Sequence, residues 1–371
     1  VDEAAAQAAL RAIDVVLEPL EGVFDPIEAM RPGAQQVWPD RPNLHNHLVI
    51  EHGDVEAGFA GAAVVVEGEY TTQLIEQAFL EPEGAVATVD VDGTIAVYAS
   101  CQAPHRDRGQ IARALGIFEN QVRVITPYIG GAFGGKDEAH VQIHAALLAQ
   151  STRRPVKVVR SREESIRTHV KRHPIRVHYK SGATKDGRLT AIHVKAIGDT
   201  GPYVNAGAEV MSVLAASVFG PYNVPNARIE ASTVHTHNPI CGAMRGFGIP
   251  QGMFACERQM DKLARELGVD PFEIRALNGL ETGATLPTGA VLREGRPMKA
   301  CLEEAAARSG WQQRDEFERS PAPHLRRGWG VAANIFTVGL GRNTQDSAAA
   351  SLEMNTDGTA ILRTGAADMG Q

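Results

Sequence analysis

Two glycine-rich segments that run from a β-type stretch into a helical one, and a third that follows a strand, constrain this chain more than any other feature. They are GGAFGGK at Gly130–Lys136, GAMRGFGIPQ at Gly242–Gln251 and ADMGQ at Ala367–Gln371. Glycine lets the backbone approach a neighbour closely, and a helix N-terminus presents unpaired N–H groups with partial positive charge. The first turn therefore suits an anion. Read as a phosphate loop, Gly130, Gly135 and Lys136 fit GxxxxGK, but Asp137 stands where a Ser or Thr hydroxyl holds magnesium, which argues against a nucleotide hydrolase. Phe133 has no purpose in a bare turn, and beside a planar ligand it shapes a pocket.

The surrounding pattern alternates strands and helices without a strict βαβ period, which predicts an α+β fold of mixed α/β layers. Strands are expected over Ala62–Glu67, Gly84–Asp90, Thr94–Ala99, Gln121–Thr126, Val156–Arg160, Ile175–Lys180 and Leu189–Ile197. Helices are expected over Arg106–Leu115, Glu138–Ala149, Gln251–Leu267, Pro271–Asn278 and Met298–Ser309. The prolines of residues 21–46 predict an extended linker. After Arg327 come an apolar-alternating run at Gly330–Val338 and a hairpin of Ala350–Met354 and Ala360–Thr364 around an Asn-Thr-Asp-Gly turn.

Composition narrows the function. Lys+Arg 37 against Asp+Glu 44 gives a net charge of −7 with the signs interspersed, so no basic stripe suits nucleic acid. No apolar run reaches the ~18 residues of a membrane span. Cys101, Cys241, Cys256 and Cys301 are far apart, which gives neither a zinc nor an iron–sulfur ligand set and favours a reducing, cytoplasmic setting. His140 and His144 share a helix face but lack the glutamate of a zinc-protease motif.

Individual side chains add chemistry. Arg245 offers a fixed fork of donors to phosphate or pterin oxygens, and Phe247 an apolar wall. Gln102 stands at a strand-to-helix mouth, where ligand-facing amides and helix caps both occur. Gln371 ends the third turn with an amide that suits a polar cofactor edge.

In this order and separation, the three turns resemble the molybdenum-binding subunit of the xanthine dehydrogenase/aldehyde oxidase family. CGAMRG and TPYIGGAFGGK look most like its 4-hydroxybenzoyl-CoA reductase and nicotinate dehydrogenase branch. The resemblance implies a molybdopterin, in bacteria often as the cytosine dinucleotide, holding molybdenum with no protein side chain bonded to the metal. It implies that Gln102 contacts an apical oxo ligand, that Gly131, Ala132, Phe133, Gly134 and Gly135 line the cofactor, and that Arg245, Gly246 and Gln371 hold the pterin. Phe247 and Asp137 would meet the substrate, and the purine-binding arginine of some members falls on Val213, which makes xanthine a poor substrate.

The implied reaction adds water-derived oxygen to an electron-poor carbon of an N-heterocycle, aromatic acyl compound or aldehyde, with electrons leaving through [2Fe–2S] and FAD subunits. A non-catalytic scaffold of the same fold is the alternative. The resemblance also makes residues 1–20 a remnant of a preceding small α/β domain, 47–285 the first molybdopterin-binding domain and 298–371 the start of an incomplete second one. The general-base glutamate is then expected beyond Gln371, on a C-terminal portion of the molybdenum subunit.

Overall fold

The computed structural model describes residues 2–294, 298–314, 322–336 and 349–370. Two sheets with separate cores organise it. The larger has five strands in the order Leu44–His52, Ala227–His235, Leu189–Gly201, Ile175–Ala183 and Val64–Thr71. Neighbours run antiparallel except for the central pair Ala227–His235 and Leu189–Gly201, which is parallel. Helices Gly207–Ala215 and Ile249–Leu267 pack on it. The second of these explains its own placement: Met253, Cys256, Met260, Leu263 and Ala264 recur at helical spacing and are buried, while Arg258, Arg265 and Glu266 face outward. Ile175, Val177 and Tyr179 meet this helical layer from alternate positions of their strand.

The smaller sheet has the order Val122–Ile125, Ile95–Ala99, Gly84–Val89 and Val156–Val159. Helices Pro104–Leu115 and Val141–Thr152 cover it. Ala85, Ala87, Ala145, Ala146 and Ala149 are buried there, and these small side chains let helix and sheet approach closely.

Most expected elements are present with shifted ends. The helix expected from Glu138 starts at Val141, because Gln110 claims the preceding residues: its Oε1 accepts from the Ala139 N–H at 2.8 Å and its Nε2 donates to Glu138 at 2.5 Å. Strand Leu44–His52, strand Ala227–His235 and helix Gly207–Ala215 go beyond the expected set. The first is masked by its histidines and by a strand-edge burial pattern that never reaches full burial.

The stretch 21–46 is not an open linker. It holds a short helix, Pro26–Ala29, capped by Asp25, and it is pinned by side-chain hydrogen bonds that leave no trace in periodicity. Asn43 is buried, donates to the carbonyls of Ala29 and Gln35 at 3.0 and 2.9 Å, and accepts from the Val37 N–H at 2.9 Å. Trp38 Nε1 donates to the Pro202 carbonyl at 2.6 Å.

Ala350–Met354 and Ala360–Thr364 pair antiparallel as expected, with Leu352 opposite Leu362. Residues 331–336 form no strand, and Val338 lies outside the described residues.

Candidate functional site

The site lies where the first two glycine turns meet, and Gln102 anchors the first of them. It follows strand Ile95–Ala99, and its Oε1 accepts from the backbone N–H groups of Gly134 and Lys136 at 2.9 and 3.3 Å. Its own N–H donates to the Lys136 carbonyl at 2.8 Å. Gln102 thus clamps the first glycine turn rather than capping the helix, whose N-cap Ala103 has no side-chain bond.

That turn depends on left-handed backbone at Gly131 (φ 86°), Phe133 (φ 53°) and Gly134 (φ 99°). Its contact with the second turn is main chain on main chain: a Cβ on Gly134 would lie 2.6 Å from the Ala243 carbonyl oxygen. The Arg245 N–H donates to the Phe133 carbonyl at 2.9 Å. The second turn is held in place from behind, because Arg172 donates to the Arg245 carbonyl at 2.8 Å and to Gln251 Oε1 at 3.2 Å. The third turn touches the first through the Ile129 N–H, which donates to the Asp368 carbonyl at 3.3 Å. Gln371 lies outside the described residues.

The expectation that the first turn offers its N–H groups to an anion is narrowed to Gly131, Ala132 and Phe133, whose N–H groups make no hydrogen bond among the described residues, because the others are used inside the protein. Gly130 N–H donates to Glu81, Gly134 and Lys136 donate to Gln102, Gly135 donates to Ala132 and Asp137 to Gly134. Lys136 is buried, with Nζ 3.0 Å from Glu81 and over the Phe79 ring, so it is no phosphate-binding lysine. Burial pulls its ammonium below the usual lysine range, opposed by Glu81.

Two cavities share Met244, Arg245 and Gly246. The first, of about 570 Å³, is completed by Gln77, Phe133, Arg172, Pro250 and Phe336. Gln77 donates to the Ala243 carbonyl at 2.8 Å, and its Oε1 is buried without a partner. The second, of about 490 Å³, is walled by Gln102, Arg106, Asp137, Glu138, Asn205, Glu209 and Phe247, among others. Arg106 donates to Asp137 at 2.5 Å. The Arg245 side chain is exposed to both cavities and has no hydrogen bond or ion pair among the described residues.

Of the residues singled out from sequence, Gln102, Phe133, Gly134, Asp137, Arg245, Gly246 and Phe247 line these cavities. Ala132 and Gly135 are buried behind the turn, Gly135 against Phe79 and His169. Gly131 stays within the turn, beside the Phe133 ring, and lines neither cavity. Val213 does not join them. It is 6% exposed in the core of the large sheet, one helical turn from Glu209, which does reach the cavity. Gln77, Arg106, Arg172, Asn205 and Glu209 were not expected. Arg106 had a usable signal, since it lies one helical turn after Gln102; Gln77 had none.

Comparison with known proteins decides the family. The molybdopterin cofactor-binding domain family matches residues 38–279, and a second family of the same description matches residues 304–371. The chain belongs to the xanthine dehydrogenase/aldehyde oxidase family. Relatives within this molybdenum oxidoreductase family include the nicotinate dehydrogenase large molybdopterin subunit of Eubacterium barkeri, 44% identical over 81% of this chain and 70% of the relative. A probable xanthine dehydrogenase component from Bacillus subtilis is 35% identical over the whole chain, which spans 49% of that relative. Among solved members of the family, the aldehyde oxidoreductase of Desulfovibrio gigas superposes with a TM-score of 0.87 at 29% identity, covering 100% of this chain and 40% of that one. Quinoline 2-oxidoreductase from Pseudomonas putida 86 gives 0.86 at 26% identity, covering 100% and 49%. The α+β fold of mixed layers expected from the sequence is that of these structures. Among the described residues no helix is long and apolar enough to cross a membrane.

A buried carboxyl behind the site yields a pH prediction. Asp107 is fully buried, accepts from Gln142 Nε2 at 2.9 Å and has its second oxygen unpartnered. Burial pushes its pKa from 3.8 to about 7. The folded state therefore binds this proton more tightly than the unfolded chain. The resulting stability is complete below pH 4 and is lost as pH rises to 7, a change on the order of 4 kcal/mol. Asp107→Asn should stabilise the protein increasingly from pH 5 to pH 8 in denaturant titrations. A gain of the same size at every pH would show that charge burial is not its origin.

Proposed function

We propose that this chain is the molybdopterin-holding part of a molybdenum hydroxylase that adds water-derived oxygen to an electron-poor carbon of an N-heterocycle, aromatic acyl compound or aldehyde. The observation that carries the reading is Arg245, a guanidinium unpaired among the described residues, between two cavities at the contact of two glycine turns. The first cavity fits the cofactor: Arg245 offers donors to anionic oxygens, the orphan Gln77 Oε1 accepts from a ring N–H, and Phe133 supplies an apolar face. When bound, the cofactor supplies the two-electron redox centre that side chains lack.

The second cavity is the substrate side in this reading. Gln102, fixed through its Oε1 by the turn, keeps its amide N–H groups for a bound group. Phe247 excludes water from a planar substrate, and Asp137 orients it while keeping Arg106 in place. The four cysteines are scattered singly and three are buried, which supports placing the [2Fe–2S] centre on a partner subunit or domain, and the FAD centre goes with it in this reading. The cytosine dinucleotide form of the cofactor, the C-terminal part of the molybdenum subunit as a partner, and a cytoplasmic location belong to the same proposal. The reading as a nucleotide hydrolase is disfavoured by the inward-turned Lys136.

The test is metal and pterin analysis of the protein purified in the complex it forms in cells. Arg245→Ala should lower molybdenum content several-fold, because the neighbouring Arg172 is committed to the Arg245 carbonyl and to Gln251. Asp137→Ala should keep molybdenum and lower kcat/KM by about tenfold or more. Equal molybdenum loss in both variants would remove the division of the site into two halves. A wild-type complex without molybdenum would favour the scaffold alternative.

A further inference from the structure

We infer that Glu209 selects the substrate, favouring one that presents an N–H or amino donor on its edge over one that presents a carboxylate there. This rests on the proposal that the second cavity receives the substrate.

The argument starts from which polar groups in that cavity are already committed. Asp137 is held by Arg106 at 2.5 Å, and Glu138 accepts from Gln110 at 2.5 Å. The Gln102 oxygen is spent on the first turn. Glu209 differs from all of these. One of its carboxylate oxygens is buried with no hydrogen-bond partner, and so is the Oδ1 of Asn205 on the same wall. A buried acceptor left unmade is costly, and Glu209 makes no hydrogen bond or ion pair among the described residues, so two residues of one cavity wall that each carry an unmade acceptor mark a place where a ligand supplies donors.

The helix accounts for part of this and not the rest. Glu209 lies in the first turn of Gly207–Ala215, where a negative charge is favourable near the helix N-terminus. That explains why a carboxylate is tolerated there. It does not explain an oxygen shut off from solvent and aimed at no donor. Asn205 can present either end of its amide after rotation, whereas Glu209 in its ionised form only accepts. Glu209 is therefore the discriminating residue. It sits on the helix that carries Val213, where some family members have the purine-binding arginine, and places a carboxylate at the cavity.

The selection follows from charge. A substrate carboxylate placed on this wall would meet Glu209, while Arg106 is taken by Asp137 and Arg245, which also reaches this cavity, is assigned to the cofactor in the proposed reading. An amino group or ring N–H gains a charge-assisted hydrogen bond and relieves the orphan oxygen.

The experiment uses the purified complex, wild type and Glu209→Gln, with molybdenum measured in both. Equilibrium binding by calorimetry and dye-linked turnover are compared on matched probes: 4-aminobenzaldehyde against 4-carboxybenzaldehyde, and 3-aminopyridine against nicotinate. Wild type should prefer the aminated member by about tenfold or more, and Glu209→Gln should reduce that preference by roughly 10- to 100-fold with molybdenum unchanged. A preference that survives Glu209→Gln, or a wild type that favours the carboxylated probes, would overturn the inference. Because binding is read separately from turnover, a complex that lacks molybdenum would count against the proposed reaction while still reporting on Glu209.

Discussion

Gly134→Ala should leave a folded chain that no longer holds molybdenum. The new methyl carbon would sit 2.6 Å from the Ala243 carbonyl oxygen and 2.8 Å from Met244 Cα, with the backbone at φ 99°. These contacts are with main chain, so no side-chain rotation relieves them, and the first two turns must part. Strain at such a φ and overpacking together cost on the order of 3 kcal/mol or more. The control is Gly268→Ala, also at positive φ (68°) but with nothing within 4 Å of the added carbon. It should cost only about 1–2 kcal/mol and leave molybdenum content at the wild-type level. Equal behaviour of the two variants in metal analysis would show that contact between the turns is not what holds the cofactor.

Arg275→Ala is expected to be the most destabilising single change away from the site. Its guanidinium is fully buried and is bound by Glu257 at 2.7 Å, Asp261 at 2.9 Å and the Pro271 carbonyl at 2.8 Å. Tyr222 also donates to Glu257, at 2.5 Å. Removing the cation leaves Glu257 buried with its charge uncompensated, for which about 3–5 kcal/mol is typical. Urea titration followed by circular dichroism measures it. Arg275→Ala with Glu257→Gln should lose less than the sum of the two single changes, because the stranded charge is then absent. A single-variant loss below about 1 kcal/mol would mean that the network is dispensable.

Much of the architecture was legible because burial on one side imposes a period. Helix Pro271–Asn278 and the hairpin of Ala350–Met354 and Ala360–Thr364 match their expected bounds, since Asp270-Pro271 and Asn355 to Gly358 mark ends by local chemistry. The glycine turns were legible for the same reason, as positive φ at Gly131, Gly134, Gly246 and Gly248 selects the residue type.

What stayed hidden depends on partners distant in sequence. Lys136 reads as a phosphate ligand until Glu81 and Phe79 are seen beneath it. Gln77 reads as an ordinary loop residue until it meets the Ala243 carbonyl, and Asn43 until it closes the stretch before strand Leu44–His52. The purine-binding arginine of some members falls on Val213, but only the fold shows that Val213 packs in the core while Glu209, one turn earlier on the same helix, lines the cavity.

The meeting of the glycine turns bears on how the protein matures. Each sheet closes its own core, whereas the two cavities are held together by contacts between residues as far apart as Gln77 and Ala243, 166 positions along the chain. Such long-range closures form late, since the entropy of closing the intervening loop is spent before any contact returns it. A molecule seated there recognises only the docked arrangement, so at a hundred times its Kd it adds about 2.7 kcal/mol to docking and nothing to either core. Cofactor loading is in this sense the final folding step. Amide hydrogens of the two turns should exchange more slowly once loading has occurred, while those of Ile175–Ala183 and Gly84–Val89 keep their rates.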